Sequence, residues 1–115
     1  MGSLETAVLR HLWSTPEPAT PGQVHEALGA DVAYTTVMTV LTRLWRKHLV
    51  ARERHGRAYA YHAVVSEADY AATHMRDALA RARDREAVLS RFVDTLSARD
   101  AKALRRVMTE LDGNR

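Results

Sequence analysis

Apolar residues recur at intervals of three and four along residues 33–48, the most regular segment of the chain. At about 100° of rotation per residue, this spacing places the apolar side chains on one side of an α-helix. The pattern therefore predicts an amphipathic helix. Its buried stripe consists of Val37, Val40, Leu41 and Leu44.

The opposite side of this helix carries hydroxyls and cations but no acid. It comprises Thr35, Thr36, Thr39, Arg43, Arg46 and Lys47. A solvated helix face usually mixes acids with bases. Short hydroxyl side chains allow a helix to approach the edges of bases closely, and long cations reach phosphates. We interpret this face as one that reads DNA; the alternative is a surface helix whose cations only complement its dipole.

Two shorter helices are predicted before it. Residues 4–14 carry an apolar stripe, and a proline-rich segment ends that pattern. Thr20 and Gln23 form a predicted capping box around Pro21, which opens a second helix that ends at Gly29. Three helices, of which the second and third are joined by a few residues, are typical of a helix-turn-helix arrangement in which the third helix reads DNA.

Two short alternating runs, residues 49–54 and 58–64, follow the predicted reading helix. They flank a turn at 55–57 that contains a glycine, which indicates a β-hairpin. A hairpin directly after a reading helix is a wing, and the alternative is a structural hairpin with solvated arginines. Two adjacent basic elements favour nucleic-acid binding. The arginines of the hairpin are Arg52, Arg54 and Arg57.

From residue 66 onward the pattern is helical, with segments at 66–83, 87–96 and 97–113. Each segment has one apolar stripe with few large residues, so about fifty residues of this kind do not make a core of their own. We expect the stripes to pack against an identical chain; the alternative is that they pack only on the N-terminal half. The residues predicted to form the dimer interface are Tyr70, Met75, Leu79, Val88, Leu89, Phe92, Val93, Leu96, Leu104, Val107, Met108 and Leu111.

The predicted fold class is therefore mainly α with a small β-hairpin. A winged helix-turn-helix DNA-binding domain occupies residues 1–65, and a helical dimerisation region occupies residues 66–115. The distribution of charge agrees with this division. The formal net charge is only +3 over 115 residues, whereas residues 43–57 contain six cations and one acid, a net charge of +5. Such a concentrated positive field is what a nucleic-acid footprint requires.

Other functions find little support in the residues. The chain has no cysteine, which excludes disulfides, thiol catalysis and cysteine metal sites. Its six histidines are scattered, and no metal-binding, nucleophile-elbow or phosphate-loop motif is present. We therefore expect no enzyme, cofactor or metal site. Because no apolar run approaches about 18 residues and no secretory signal is visible, we expect a cytoplasmic protein that does not insert into a membrane.

Four segments carry a family resemblance. Val-His-Glu-Ala-Leu stands at 24–28, Ala-Tyr-Thr-Thr-Val-Met-Thr-Val-Leu opens the run at 33–44, Lys47-x-Leu49-Val50 follows, and the wing has Arg57, Tyr59 and Tyr61. Together these closely resemble the BlaI/MecI/CopY family of bacterial repressors, the penicillinase-repressor type. The resemblance covers nearly the whole chain and weakens in the last three helices. It implies a winged helix with a helical dimerisation region, acting as a homodimer on a palindromic operator in double-stranded DNA.

The resemblance also implies roles for individual residues. The positions at which the family reads bases fall on Thr35, Thr36, Thr39 and Arg43. Lys47 and Arg57 would hold phosphates or groove edges, and the other cations beside them would mainly set affinity through phosphates. The complete predicted DNA-binding set is Tyr34, Thr35, Thr36, Thr39, Arg43, Arg46, Lys47, Arg52, Arg54 and Arg57.

Induction differs between branches of that family. Copper-responsive members end in a cysteine-rich metal hook, which a chain without cysteine lacks. In the β-lactam branch, which is tied to antibiotic resistance, a membrane sensor-protease pathway leads to cleavage of the repressor. The cut falls before a phenylalanine whose position resembles that of Phe92 here. Arg91 stands where the best-known members carry asparagine, so a site at Arg91–Phe92 implies another specificity or another induction route. The alternatives are a global regulator or activator of the same fold with a different inducer, and a winged-helix protein-interaction module.

Overall fold

The structure, a computed structural model, describes residues 3–113 as six helices and one antiparallel hairpin. The elements are α1 (Ser3–Ser14), α2 (Pro21–Leu28), α3 (Tyr34–Arg46), β1 (Val50–His55), β2 (Ala58–Ala63), α4 (Glu67–Ala80), α5 (Arg85–Thr95) and α6 (Ala98–Gly113). This order confirms the predicted fold class. The chain divides into two compact units, Met1–Ala72 and Thr73–Arg115.

Local sequence signals set the ends of α2 and α3. The Thr20 hydroxyl accepts from the Gln23 N–H at 3.3 Å, and the Gln23 side-chain oxygen accepts from the Thr20 N–H at 2.9 Å. The predicted capping box is thus confirmed. Gly29 follows α2 with a φ of 95°, which residues with a Cβ rarely adopt. α3 ends at Arg46, before its predicted end, because His48 turns the chain toward the hairpin with a φ of 64°.

The N-terminal unit is built around α3. The predicted stripe of α3 is buried, and Val37, Leu41 and Leu44 are fully enclosed. Apolar side chains from α1, α2, β1, β2 and α4 complete the same cluster, which consists of Val8, Leu9, Leu12, Ala19, Val24, Val37, Val40, Leu41, Leu44, Val50, Tyr61 and Tyr70. Because this core holds one side of α3, the opposite side of that helix is presented to solvent.

A third extended segment fastens the hairpin to the helices. β1 and β2 pair antiparallel and leave Gly56 and Arg57 as the turn, so that His55 is the last strand residue rather than part of the tip. Ala19, just before α2, exchanges two backbone hydrogen bonds with Tyr61 of β2, at 2.9 and 2.8 Å. The Tyr61 side chain is itself buried. The base of the wing is therefore fixed to the core.

The first turn of α4 belongs to the N-terminal unit, because Tyr70 is buried there. Its ring meets the Trp13 ring edge-on with centroids 5.8 Å apart, and its hydroxyl donates to Glu5 at 2.8 Å. The Trp13 indole donates to the backbone oxygen of Val65 at 2.8 Å. Tyr70 was among the residues predicted for the dimer interface. That prediction needs correcting in one respect: its own chain already covers the ring, so its burial requires no partner.

The C-terminal unit has well-formed helices but little internal packing in its described part. The Asp84 side chain accepts from the Ala87 N–H at 3.0 Å and caps α5, and the Ser97 hydroxyl accepts from the Asp100 N–H at 3.1 Å and caps α6. Neither α5 nor α6 buries any of its described residues. The apolar stripes of these helices are consequently left open to solvent in the single chain.

Replacing Tyr70 with phenylalanine tests the polar contact at the start of α4. Burial raises the pKa of the Tyr70 hydroxyl, and the neighbouring Glu5 carboxylate adds to the rise, partly offset by Thr6. The folded state therefore binds this proton more tightly than the unfolded state, so the stabilisation is complete below a pH of about 10 and is lost as the pH rises through the folded pKa.

At neutral pH we expect Tyr70→Phe to lower the free energy of unfolding by about 1–2 kcal/mol, because the hydrogen bond to a carboxylate is lost. Above about pH 10 the stability of the wild type should fall more steeply than that of the variant. Urea unfolding at a series of pH values measures both effects. Parallel pH profiles for the two proteins would contradict the assigned burial of the hydroxyl.

Candidate nucleic-acid interface

The exposed side of α3 is a shallow, basic surface. A depression of about 300 Å³ on it is lined by Met38, Thr39, Thr42, Arg43 and Arg46. Every predicted base-reading residue on this helix is exposed. The predicted set contains neither Met38 nor Thr42. Helical spacing could have found Thr42, which lies one turn before Arg46. The surface therefore combines hydroxyls, a thioether and guanidinium groups.

The hydroxyl of Thr39 is already engaged within the helix. It donates to the backbone oxygen of Thr35 at 3.0 Å. A hydroxyl has one proton but two lone pairs, so in this state Thr39 offers an acceptor and a methyl group rather than a donor. A methyl group at this position suits contact with the methyl of thymine, whereas hydrogen-bond donation to a base edge would require the Thr39 side chain to rotate.

The turn between α2 and α3 is held by His25. Its Nε2 lies 2.7 Å from the backbone oxygen of Val32, so this nitrogen carries the proton and donates. The His25 ring also meets the ring of Tyr34 edge-on, with centroids 5.9 Å apart. Tyr34 is the first residue of α3 and is about half exposed, at 47%. The start of α3 and the predicted contact residue Tyr34 are thereby positioned from α2.

The three wing arginines are not equivalent. Arg54 and Arg57 are exposed, and Arg57 stands in the turn beside Gly56, whose φ is 65°. Arg52 is only partly exposed, because its guanidinium carbon lies 3.7 Å from the centre of the Trp45 ring and 4.1 Å from the centre of the Tyr59 ring. The sequence pattern places Arg52 among the cations predicted to bind phosphate, and the rings beside it become visible only in the packed structure.

Lys47 is paired with an acid from another element. Its Nζ lies 3.0 Å from Glu5 Oε2, while Glu5 Oε1 accepts from Tyr70. The Lys47 side chain remains half exposed, whereas that of Glu5 is only 13% exposed. Because Lys47 follows α3 directly, the Glu5 carboxylate both anchors the end of that helix and partly neutralises a cation predicted to hold phosphate.

The predicted interface residues of the C-terminal unit have exposed apolar side chains. Met75, Val88, Leu89, Phe92, Val93, Val107, Met108 and Leu111 are 41–57% exposed. The side chains of Leu79, Leu96 and Leu104 are partly buried, and that of Arg91 is exposed. Large apolar groups presented in this way along three helices form a surface that water solvates poorly.

Chemistry of other kinds is not assembled in the described part of the chain. Across residues 3–113, no three histidine or carboxylate side chains converge in a way that could hold a metal ion. Over the same residues, none of the helices is both long and apolar enough to cross a membrane. The exposed basic face of α3 and the adjacent wing are the candidate site of the N-terminal unit.

Comparison with known proteins identifies relatives of this arrangement. The penicillinase repressor family model matches residues 1–110. The transcriptional regulator BlaI of two Mycobacterium tuberculosis strains is 51% identical over 123 residues, which cover 100% of this chain and 89% of the relative. Two solved regulators align over most of their length. An S. aureus MepR mutant has a TM-score of 0.54 and 19% identity, and the alignment covers 97% of this chain and 78% of that one. Streptomyces coelicolor PcaV has a TM-score of 0.53 and 21% identity, and the alignment covers 98% of this chain and 75% of that one. These two likenesses show the fold alone.

Replacing Glu5 with glutamine should release Lys47 toward a bound polyanion. The amide oxygen of glutamine still accepts from Tyr70, but the charge that holds Lys47 is gone. We expect binding to a random-sequence DNA duplex to tighten, and the slope of log affinity against log salt to steepen by up to about one unit.

The matched control places Glu5→Gln in a Lys47→Met background. There the substitution should leave the salt slope unchanged, because the released ammonium is absent. Fluorescence anisotropy titrations at several salt concentrations measure all four proteins. An equal steepening with and without Lys47 would assign the effect to the general field of the protein instead of to this pair.

Proposed function

The chain belongs to the penicillinase repressor family, and on that premise we propose that it is a homodimeric repressor of transcription that occupies a palindromic operator. It is a BlaI-type transcriptional regulator with a winged-helix DNA-binding fold and not an enzyme. One observation carries the proposal: α3 buries its apolar stripe and presents an acid-free face of hydroxyls and guanidinium groups. Because its proposed target is operator DNA, we place the protein in the cytoplasm.

The exposed residues divide by chemistry into two groups. Arg43 and the three threonines of α3 read bases in the major groove; an arginine does so best by donating two hydrogen bonds to a guanine. Arg46, Arg54 and Arg57 contact phosphates, which sets register and affinity but not sequence. Thr39 supports this division, because its hydroxyl already donates to Thr35 and its methyl group remains available to a base.

The C-terminal unit supports the proposed dimer. Helices that bury none of their own residues leave apolar surface for a partner, and an identical chain offers a matching surface. Two reading helices placed about 34–36 Å apart would enter successive major grooves on one face of the DNA. Joining two weak half-site contacts multiplies their affinities, so the dimer covers promoter DNA that a monomer leaves free.

Relief of repression by proteolysis completes the proposal. Arg91 and Phe92 are exposed on α5 in the single chain. Because Phe92 belongs to the proposed dimer surface and lies within a helix, cleavage would require α5 to open locally or the dimer to dissociate. Cleavage between them would separate the reading helix from Val93, Leu96 and the whole of α6, and so remove much of the dimerising surface. A membrane sensor-protease pathway that responds to β-lactams would supply the cleavage, and the genes under control would then serve antibiotic resistance.

Selection from a pool of random duplexes at two salt concentrations tests the function. We expect a two-fold symmetric consensus whose binding weakens steeply as salt rises. Binding without any consensus would leave the protein as a winged-helix module for other partners. A consensus without two-fold symmetry would contradict the homodimer and retain the DNA binding.

Arg43→Ala tests the division between base reading and phosphate binding. We expect a loss of about 1–3 kcal/mol on the selected duplex and a relaxed preference at one position of each half-site. Repeating the selection with the variant measures both. Arg46→Ala is the control, for which we expect a loss that is uniform across sequences. A uniform loss for Arg43→Ala as well would make it a phosphate contact.

Leu111→Asp tests the dimer, and Leu104→Asp repeats the test on the same stripe. A buried unpaired carboxylate in the interface should give monomers that bind the selected duplex at least tenfold more weakly. Thr109→Asp, on the opposite side of α6, introduces the same charge and should leave the dimer intact. Sedimentation equilibrium measures the mass. A dimer that persists in both leucine variants would show that α6 packs within its own chain.

A further inference from the structure

Arg52 lies between two aromatic rings that come from different elements. Trp45 belongs to the last turn of α3 and Tyr59 belongs to β2, and the guanidinium carbon is 3.7 Å and 4.1 Å from the two ring centres. We propose that Arg52 is a positioning residue that sets the wing against the reading helix, rather than a contact to the DNA backbone. This inference rests on the proposed DNA-binding function.

The register of the hairpin explains how the stack forms. Arg52 pairs with Tyr61 across the strands, and Arg54 pairs with Tyr59, so these four side chains share one face of the hairpin. Tyr59 is then the diagonal neighbour of Arg52, within reach of a long side chain. The Arg52 Nη1 also lies 3.5 Å from the buried Tyr61 hydroxyl, at the outer limit of a hydrogen bond. One guanidinium thus joins the helix end, the wing and the core.

The two rings also hold the charge in place. A guanidinium is attracted to the face of an aromatic ring, and its flat shape allows it to stack on two rings at once. To reach a phosphate, Arg52 would have to leave both rings. Arg54 is held less tightly: it is exposed and lies over one ring only, that of Tyr59, with its guanidinium carbon 5.7 Å from the ring centre. The wing therefore carries one arginine that is held in place, Arg52, and two exposed arginines that can turn toward a phosphate, Arg54 and Arg57.

The consequence for recognition is geometric. Arg43 and Arg46 are carried by α3, whereas Arg54 and Arg57 are carried by the hairpin. Both pairs can engage one duplex only if the hairpin keeps its angle to the helix. The Arg52 stack joins the last turn of α3 to both strands of the wing, so it controls that angle. Loosening the stack should weaken binding without removing any contact to the DNA.

Arg52→Lys keeps the charge and removes the flat group. We expect it to weaken binding to the selected duplex about three- to tenfold, while the salt slope stays that of the wild type. Arg10→Lys makes the same exchange at an exposed arginine of α1 that lies outside the proposed DNA-binding set, and this control should bind like the wild type. Trp45→Leu removes one ring without changing charge and should weaken binding as much as Arg52→Lys does. The double variant should be no weaker than either single variant, because both break the same stack.

A measurement without DNA tests the stack itself. Protons on the Arg52 side chain between two rings should resonate upfield of those of Arg54 in the NMR spectrum of the full chain, and the Trp45→Leu variant should lose much of this shift. Thermal unfolding of each variant establishes that the protein compared is folded. If a variant fails to fold, the wild-type chemical shifts still decide whether the stack exists.

Two results would overturn the inference. One is an Arg52→Lys variant that binds like the wild type together with an Arg52→Ala variant whose salt slope falls by about one unit, which would make Arg52 a phosphate contact. The other is an Arg52 side chain with no upfield shift in the wild type. Failure of the proposed function is distinct from both, since it would appear as absent salt-dependent binding in the wild type itself.

Discussion

The burial of one stripe of α3 is the constraint on which the rest of this structure depends. Val37, Leu41 and Leu44 are fully enclosed and Val40 nearly so. Each such side chain contributes about 1.5–3 kcal/mol when buried, whereas an exposed ion pair contributes about 1 kcal/mol or less. The core therefore decides which way the helix faces, and the cations on its other side are presented to solvent as a result.

The positive segment around α3 contains cations in different states. Lys47 is paired with Glu5, and Arg52 is held between two rings. The remaining arginines of this segment are exposed, namely Arg43, Arg46, Arg54 and Arg57. Net charge alone overstates the number of groups ready to meet a polyanion. Both restrained cations lie at the junction between α3 and the wing.

The two units differ in how they obtain stability. The N-terminal unit has a core that reaches the first turn of α4 through Tyr70, whose hydroxyl shares the Glu5 carboxylate with Lys47. The C-terminal unit has capped helices without buried residues in α5 and α6. In the proposed dimer these helices are stabilised by association, so the folding of the unit and its oligomeric state are linked. In the proposed mechanism, cleavage within the C-terminal helices would end dimerisation while the basic surface of α3 remains intact.

The sequence by itself determined the local elements: the buried stripe of α3, the Thr20–Gln23 capping box, the hairpin and the family resemblance. Each of these signals depends on residues a few positions apart, which periodicity and capping rules describe. Tertiary structure alone decided the Lys47–Glu5 pair, the rings around Arg52 and the covering of Tyr70. Those contacts join residues from different elements, and their distances depend on how the elements pack around the core. A pattern within one helix or strand carries no information about them.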